Sequence, residues 1–218
     1  GLNVNITTLN IVFPLGISFF TFRLISYLIE INRGKIEPTK DFIAFATYIA
    51  FFPTLLAGPI DRPNDFLPQL KSARVFDYNI AMDGTRQILW GIFKKMVIAD
   101  NMALFIGSVW GNLADQNATT LLITFLAYPI QLYADFSGYS DMAIGVGKIL
   151  GIRVAINFRY PFFARNVAEY WRSWHMSLTS WITDYVFMPL NVKFRKLGDL
   201  GLISAVIINM IIIGIWHG

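Results

Sequence analysis

Five apolar runs constrain this chain more than any other feature of its sequence. They cover approximately residues 11–31, 42–60, 96–113, 119–137 and 200–216. A helix needs about 20 mainly apolar residues to cross the ~30 Å hydrocarbon core of a bilayer, and at least four of these runs are long enough. Hydrophobic residues make up 55% of the chain and charged residues 15%, whereas soluble domains average about 45–50% and about 25%. The sequence therefore predicts an all-α fold, a polytopic bundle of transmembrane helices.

Single residues within these runs predict where a helix avoids lipid, stops or breaks. Arg23 interrupts the first run and should face protein or water, because a charge in hydrocarbon is costly. The second run is expected to stop at Gly58 and Pro59, and the fourth to break around Ser137 and Gly138. Asp199 is placed to cap the last run.

The segment between residues 166 and 189 follows a different pattern. Asn166 and Glu169 form the start signature of a helix, with a capping side chain followed three residues later by an acid. After it, Arg172, His175, Thr179 and Thr183 recur at helical spacing, opposite Trp171, Trp174, Leu178 and Trp181. This pattern predicts one amphipathic helix in a re-entrant or interfacial position. A surface-lying anchor helix fits the same pattern.

The distribution of positive charge predicts how the chain is oriented, since Lys and Arg in short loops favour the cytoplasmic side. Residues 62–95, 148–172 and 193–196 are basic, whereas the short loop around Asp115 has no Lys or Arg. We place the basic segments in the cytoplasm and the loop outside. Both flanks of residues 171–189 then lie on one side, which favours a re-entrant or interfacial segment over a full crossing. The net charge of +4 comes from these loops and does not indicate nucleic-acid binding.

The sequence excludes several kinds of site. It has no cysteine, so disulfides and thiolate metal sites are absent, and two histidines alone make a zinc site improbable. There is no internal repeat and no soluble domain, so residues 1–218 are expected to form a single membrane-embedded unit. Because the chain begins without methionine and ends directly after an apolar run, we expect it to be a piece that lacks both ends.

Two histidines, His175 and His217, are the strongest candidates for chemistry. A lone histidine in an apolar helix is more often a packed, hydrogen-bonded residue than a catalyst. Ionisable groups inside a bilayer are costly, however, and usually mark a functional site. His217 follows the apolar run of the last predicted helix, where burial would keep its imidazole neutral and able to accept a proton. We therefore expect His217 to act as a general base.

Two carboxylates, Asp135 and Asp141, flank the break expected in the fourth run. Paired carboxylates can do acid–base chemistry, but this break would separate them. The preferred interpretation is structural, with Ser140 or Asp141 capping the next helix and Asp135 bonding to freed backbone groups. A transporter with broken helices would instead use Arg23, Asp135 and Asp141 as its pathway. The residues alone leave an enzyme and a transporter open.

Several stretches of the chain resemble the membrane-bound O-acyltransferase family, in its bacterial branch of alginate O-acetylation proteins. They lie, in family order, at residues 14–20, 52–59, 135–145, 171–178, 184–185, 189–190 and 216–218. The Trp-Arg-Ser-Trp-His block at 171–175 is also similar to the protein that helps to attach D-alanine to teichoic acids. The Ser-Asp-Met-Ala-Ile-Gly motif at 140–145 favours the alginate type.

The resemblance implies a multi-pass protein of the bacterial inner (cytoplasmic) membrane with no bound cofactor or metal. It implies transfer of an acyl group, acetyl above all, from a thioester donor on the cytoplasmic side, either acetyl-CoA or an acyl carrier. The acceptor would be the hydroxyls of an extracytoplasmic polysaccharide or a periplasmic acyltransferase partner of the SGNH type. His217 matches the family's catalytic histidine and His175 its second functional histidine. We assign supporting or channel-lining positions to Trp174, Trp216, Arg172, Asp135 and Asp141.

One further alternative is a non-catalytic membrane scaffold for a periplasmic transferase. Thioester-dependent labelling of an acceptor would separate an enzyme from both the scaffold and the transporter.

Overall fold

The computed structural model describes residues 14–217. Ten α-helices occur in this part of the chain: α1 Ile17–Asn32, α2 Phe42–Ile49, α3 Pro63–Lys71, α4 Tyr78–Ile92, α5 Asp100–Trp110, α6 Ala118–Ile149, α7 Val167–Ser173, α8 Met176–Ile182, α9 Met188–Phe194 and α10 Gly198–His217. The segments Phe93–Ala99 and Thr183–Phe187 are π-helical. No strand is present among these residues, and the prediction of an all-α fold is confirmed.

The first predicted run corresponds to α1, although its residues 11–13 lie outside the described part of the chain. Gly16 precedes the helix with φ 74°, and a Cβ there would lie 2.3 Å from the carbonyl oxygen of Leu55. Both the backbone conformation and the close approach therefore require glycine. Arg23 is 1% exposed and pairs with Asp61 at 3.4 Å. The prediction that Arg23 faces protein or water is confirmed.

The prediction that residues 42–60 cross the membrane as one helix is wrong. α2 ends at Ile49, and a short 3-10 turn at Phe52–Thr54 follows it. Pro53 has no N–H to continue a helical ladder. Gly58 lies so close to Thr54 that a Cβ would be 2.3 Å from the Thr54 Cα. Close packing of this irregular segment replaces the second half of the expected helix.

α4, the π-helical segment after it and α5 form one continuous helical stretch antiparallel to α6. The third predicted run is therefore only the second half of a helix that begins at Tyr78. Gly84 faces Gly145, and Gly91 faces Gly138. A Cβ at any of these glycines would lie 2.5 to 2.8 Å from the partner's carbonyl oxygen. These small residues let the two backbones approach closely.

α6 is continuous for 32 residues, so the break predicted around Ser137 and Gly138 is wrong. Gly138 serves the close approach to Gly91 and does not interrupt the helix. The capping roles predicted for Ser140 and Asp141 are wrong for the same reason. The cap of α6 is Asn117, whose side chain accepts a hydrogen bond from Thr120 N.

The single amphipathic helix predicted after residue 166 is interrupted. Its start is confirmed, because the Asn166 side chain accepts a hydrogen bond from Glu169 N at 2.8 Å. α7 ends at Ser173, however, and His175 adopts a left-handed conformation, φ 42° and ψ 50°, before α8 begins. The predicted separation of faces is also wrong. His175 is as buried as Leu178 and Trp181 on the supposedly opposite face, whereas Trp171 is 42% exposed.

Helical structure runs without a gap from Met176 to His217 and ends in α10. By length and composition, this stretch is the one among residues 14–217 that could cross a membrane, and only 11% of its apolar window is buried. The other predicted runs do not combine that length with that composition within the described residues. Asp199 lies in the first turn of α10 and not at its cap.

A buried apolar cluster joins α1, α8 and α10. Its buried members are Ile60, Leu178, Trp181 and Ile182, and Phe19, Phe22, Ile213 and Trp216 pack against it. The Phe22 and Trp181 rings meet edge to face at 4.6 Å, and Trp181 Nε1 donates to Phe22 O at 3.1 Å. This packing holds the break before α8 close to the end of α10.

Candidate active site around two histidines

A cavity of about 550 Å³ contains both histidines, a volume typical of small-molecule sites. Its walls come from α1, the segment after the 3-10 turn, the π-helical segment after α4, α6, the break between α7 and α8, and the end of α10. The lining includes Asp135, Phe136, Trp174, His175, Trp216 and His217. We call it the histidine cavity.

His175 lies in the break between α7 and α8 and is 5% exposed. A left-handed conformation at a residue other than glycine costs about 1–3 kcal/mol, and such residues cluster at functional sites. The imidazole packs edge to face on Phe136, with ring centroids 4.6 Å apart. Its Nε2 is buried and has no hydrogen-bond partner among the described residues. Since buried polar atoms are almost always paired, an unpaired nitrogen at a cavity wall suits a bound ligand.

His217 ends α10, and its Nδ1 lies 2.8 Å from the carbonyl oxygen of Ile213. A hydrogen bond to a carbonyl requires the proton on Nδ1, so Nε2 of the neutral ring carries a free lone pair. His217 is exposed within the described part of the chain. The burial inferred from its apolar run is therefore not observed, and the tautomer is set by the bond to Ile213.

Two tryptophans, Trp174 and Trp216, line the histidine cavity. Trp174 stacks on Tyr170 at 5.7 Å. Trp216 packs between His217 at 4.5 Å and His175 at 6.5 Å, measured between ring centroids. Its Nε1 is buried without a hydrogen-bond partner in residues 14–217. The cavity thus has a second unpaired polar atom, an N–H donor.

The two aspartates of α6 lie in different cavities. Asp135 lines the histidine cavity and pairs with Lys95 at 2.5 Å. Asp141 lines a separate cavity of about 570 Å³ and pairs with Lys94 at 2.5 Å. Asp135 was expected to bond to freed backbone groups, but it pairs with Lys95 instead. Asp141 does not line the histidine cavity, because the continuous α6 turns it to another face, and its supporting role stays a prediction.

Lys94 and Lys95 line the two cavities and were not predicted as site residues. Two adjacent lysines on a helix point about 100° apart. Such a pair is usually part of a solvated face. Here they lie in a π-helical segment, a distortion that often occurs at functional sites, and both reach carboxylates of α6. Their only signal in the sequence was two charges immediately before an apolar run.

Two other predicted residues lie outside the histidine cavity. Arg172 is exposed, and its Nε donates to Ala168 O of its own helix at 3.1 Å, so its predicted lining role is not observed. Arg23 is buried and bonds to Tyr48 O, Thr54 and Asp61. Arg23, Asp135 and Asp141 thus each have a different ionic partner, and the structure does not join them into one pathway.

A comparison with protein families identifies the class to which the chain belongs. Residues 37–218 match the model of MBOAT, the membrane-bound O-acyltransferase family. The match covers more than half of the chain, and the chain belongs to this family.

Curated relatives agree with this family. The chain is 39% identical over 211 residues to the probable alginate O-acetylase AlgI of Pseudomonas putida, covering 96% of the chain and 42% of the relative. It is 36% identical over 238 residues to the peptidoglycan O-acetyltransferase of Helicobacter pylori, covering 97% and 45%. It is 34% identical over 219 residues to the teichoic acid D-alanyltransferase of Streptococcus thermophilus, covering 94% and 52%. The chain spans about half the length of these relatives or less.

Proposed function

We propose that the chain is the membrane-embedded core of an O-acyltransferase. It would transfer an acyl group, acetyl above all, from a thioester donor to a hydroxyl of an extracytoplasmic polysaccharide or of a partner acyltransferase. The observation that carries this proposal is the histidine cavity, which brings His175 and His217 together in a chain of the MBOAT family. The three relatives are named as an alginate O-acetylase, a peptidoglycan O-acetyltransferase and a teichoic acid D-alanyltransferase, and these names support an acyl transfer to a polymer.

His217 is proposed as the general base. A hydroxyl is a weak nucleophile until a base takes its proton, and the lone pair on Nε2 of His217 is free to take it. The acceptor oxygen then attacks the thioester carbonyl carbon, the C–S bond breaks, and the leaving sulfur receives the proton from the imidazolium. A positioned general base typically contributes about 10²–10⁴-fold in rate.

His175 is proposed to stabilise the charge that develops on the carbonyl oxygen. Its burial disfavours the imidazolium, and a neutral ring with its proton on Nε2 can donate a hydrogen bond to that oxygen. Nε2 has no competing partner in the described residues. The loss of one such donor typically costs about 10²–10³-fold in rate.

The site is proposed to lie in the bacterial inner membrane, with the donor entering from the cytoplasm. Exposed apolar side chains on α5, the first half of α6 and α10 support contact with lipid; they include Leu104, Leu122, Phe125, Leu126, Ile207, Ile211 and Ile215. From the apolar runs we infer that other helices cross the membrane in addition to α10. The break at His175 and the burial of α8 against α1 support a re-entrant or interfacial position for residues 171–189.

The test is acyl transfer from a labelled thioester donor by the full-length protein in membranes. Label should reach the acceptor with the unaltered protein and with Arg165→Gln, an exposed position outside the cavity. With His217→Ala it should be lost while membrane abundance stays near normal. Thioester-dependent label that persists in His217→Ala would contradict the catalytic role, and its absence from the unaltered protein would favour the transporter or scaffold.

A further inference from the structure

Asn157 is a fully buried polar residue between α6 and the break before α8. It is 0% exposed and lies at the end of a non-helical segment, residues 152–158. Its Nδ2 donates to Ser140 Oγ on α6 at 3.1 Å. Its Oδ1 accepts from Ser177 Oγ on α8 at 2.6 Å. The side chain therefore bridges α6 and α8.

The backbone around Asn157 brackets the break that contains His175. The carbonyl oxygen of Asn157 accepts a hydrogen bond from Met176 N at 2.8 Å, directly after His175. Two residues further along, Arg159 N donates to Ser173 O at 3.0 Å, at the last residue of α7. These two bonds hold the two residues between them, Trp174 and His175, from both ends.

The Asn157 carbonyl satisfies one N–H group in the first turn of α8. The first N–H groups of a helix have no partner within it, and the side chain of the preceding residue usually accepts from one of them. His175 occupies that position, but its side chain makes no capping bond. The Asn157 carbonyl pairs with Met176 N, and the imidazole of His175, which makes no capping bond, lines the histidine cavity.

The Ser177 hydroxyl extends the connection to a third segment. It donates to Asn157 Oδ1 and accepts from Ile60 N at 2.9 Å. The segment before Ile60 contributes Leu56 and Ala57 to the wall of the histidine cavity. The first turn of α8 is thus fixed to a wall of that cavity as well as to α6.

We infer that Asn157 is a positioning residue for His175, holding the break so that Nε2 of His175 faces the histidine cavity. This inference rests on the proposed function, in which His175 acts on the acyl carbonyl oxygen. A catalytic group displaced by about 1 Å can lose about 10²-fold in rate. Asn157→Ala should therefore lower kcat by about 10²-fold and leave KM for the thioester donor near its original value.

The kinetic test uses the full-length protein in membranes. Thr124→Ala is the matched control, because Thr124 is a buried hydroxyl on α6 whose only hydrogen bond among residues 14–217 is to Thr120 O of its own helix, and the kcat of this variant should be unchanged. Ser177→Ala removes only the hydroxyl that links Asn157 to Ile60 and keeps the bond between Asn157 and Ser140. It should therefore lower kcat less than Asn157→Ala does. If Asn157→Ala does not accumulate, Ser177→Ala carries the kinetic test.

A second readout follows residue 175 without relying on activity. His175→Cys, as the only cysteine, is treated with a membrane-permeant maleimide in the presence and absence of Asn157→Ala. Leu132→Cys is the matched control, since Leu132 lines the same cavity on the continuous α6. Asn157→Ala should speed the labelling of position 175 and leave that of position 132 unchanged.

The outcomes separate this inference from the proposed function. Unchanged kcat together with unchanged labelling at 175 overturns the positioning role, and so does an equal rise at 175 and 132, which would mean a general loosening of the fold. If His175→Gln keeps full activity, the proposed role of His175 fails. The labelling pair still decides whether Asn157 holds the break.

Discussion

Lys95 Nζ lies 2.5 Å from Asp135 Oδ1 in the wall of the cavity that holds both histidines. Lys95 has a second acid partner, Asp100, at 2.8 Å, whereas Lys95 is the only ionic partner of Asp135 in the described part of the chain. The two halves of this ion pair are therefore not equivalent. Losing the lysine leaves a carboxylate uncompensated beside the histidines, and losing the carboxylate leaves the lysine paired.

We expect Lys95→Gln to lower the rate of acyl transfer more than Asp135→Asn does. The double variant should be no worse than Lys95→Gln alone, since residues in one ion pair are coupled and their effects are not additive. Transfer from a labelled thioester by membranes measures all three. Lys148→Gln, which breaks the exposed pair with Asp83, is the control. A larger loss in Asp135→Asn would contradict the asymmetry.

The two histidines should behave as one catalytic unit. His217→Gln is expected to lower polymer acylation by about 10²–10⁴-fold, because glutamine keeps hydrogen bonding but cannot accept the proton. His175→Gln should cost about 10²–10³-fold. The double variant should be little worse than His217→Gln alone, since groups that act together are strongly non-additive. Acylation at equal protein level is the measurement, and unaltered activity in His217→Gln would refute the general base.

Close backbone packing between α4 and α6 should be essential for stability. A Cβ at Gly91 would lie 2.6 Å from Gly138 O, so Gly91→Ala forces the helices apart at a cost of about 1–3 kcal/mol. At Gly107 on α5, nothing among the described residues lies within 4 Å of a Cβ. Gly107→Ala is therefore expected to be neutral or to stabilise by up to about 1 kcal/mol. Thermal unfolding in detergent distinguishes the two; equal midpoints would contradict the packing.

Residues 171–189 should enter and leave the membrane on the same side. Arg165 and Lys193, on the two sides of this segment, are exposed and basic, which favours the cytoplasm for both. Single cysteines there, in a background without others, should react alike with an impermeant maleimide in intact cells. Lysed cells provide the control for reactivity. Labelling of one position and not the other would show a full crossing.

Properties that depend on local sequence were predicted correctly. The all-α fold follows from long apolar runs, and the start of α7 follows from the Asn166 side chain and its reach to Glu169 N. The burial of Arg23 follows from the cost of exposing a charge to hydrocarbon. The family follows from the residues around His175 and His217, because the chemistry of the site restricts which residues can stand there. Each of these depends on a few neighbouring residues and on their solvent.

The tertiary structure decided what depends on distant neighbours. Ser137-Gly138 carries the signals of a helix break, yet α6 continues because Gly138 finds the backbone of Gly91 at close range. Conversely, the Trp174-His175 pair carries the pattern of a continuous helix, yet the chain breaks there, and Asn157 O accepts the hydrogen bond that Met176 N would give to Arg172 O in a continuous helix. Helix propensity differs by less than about 1 kcal/mol between most residues, so a single close contact or buried hydrogen bond is enough to reverse it. The sequence by itself thus determined the helical class and the two histidines, and only packing between distant segments decided that these histidines share one cavity.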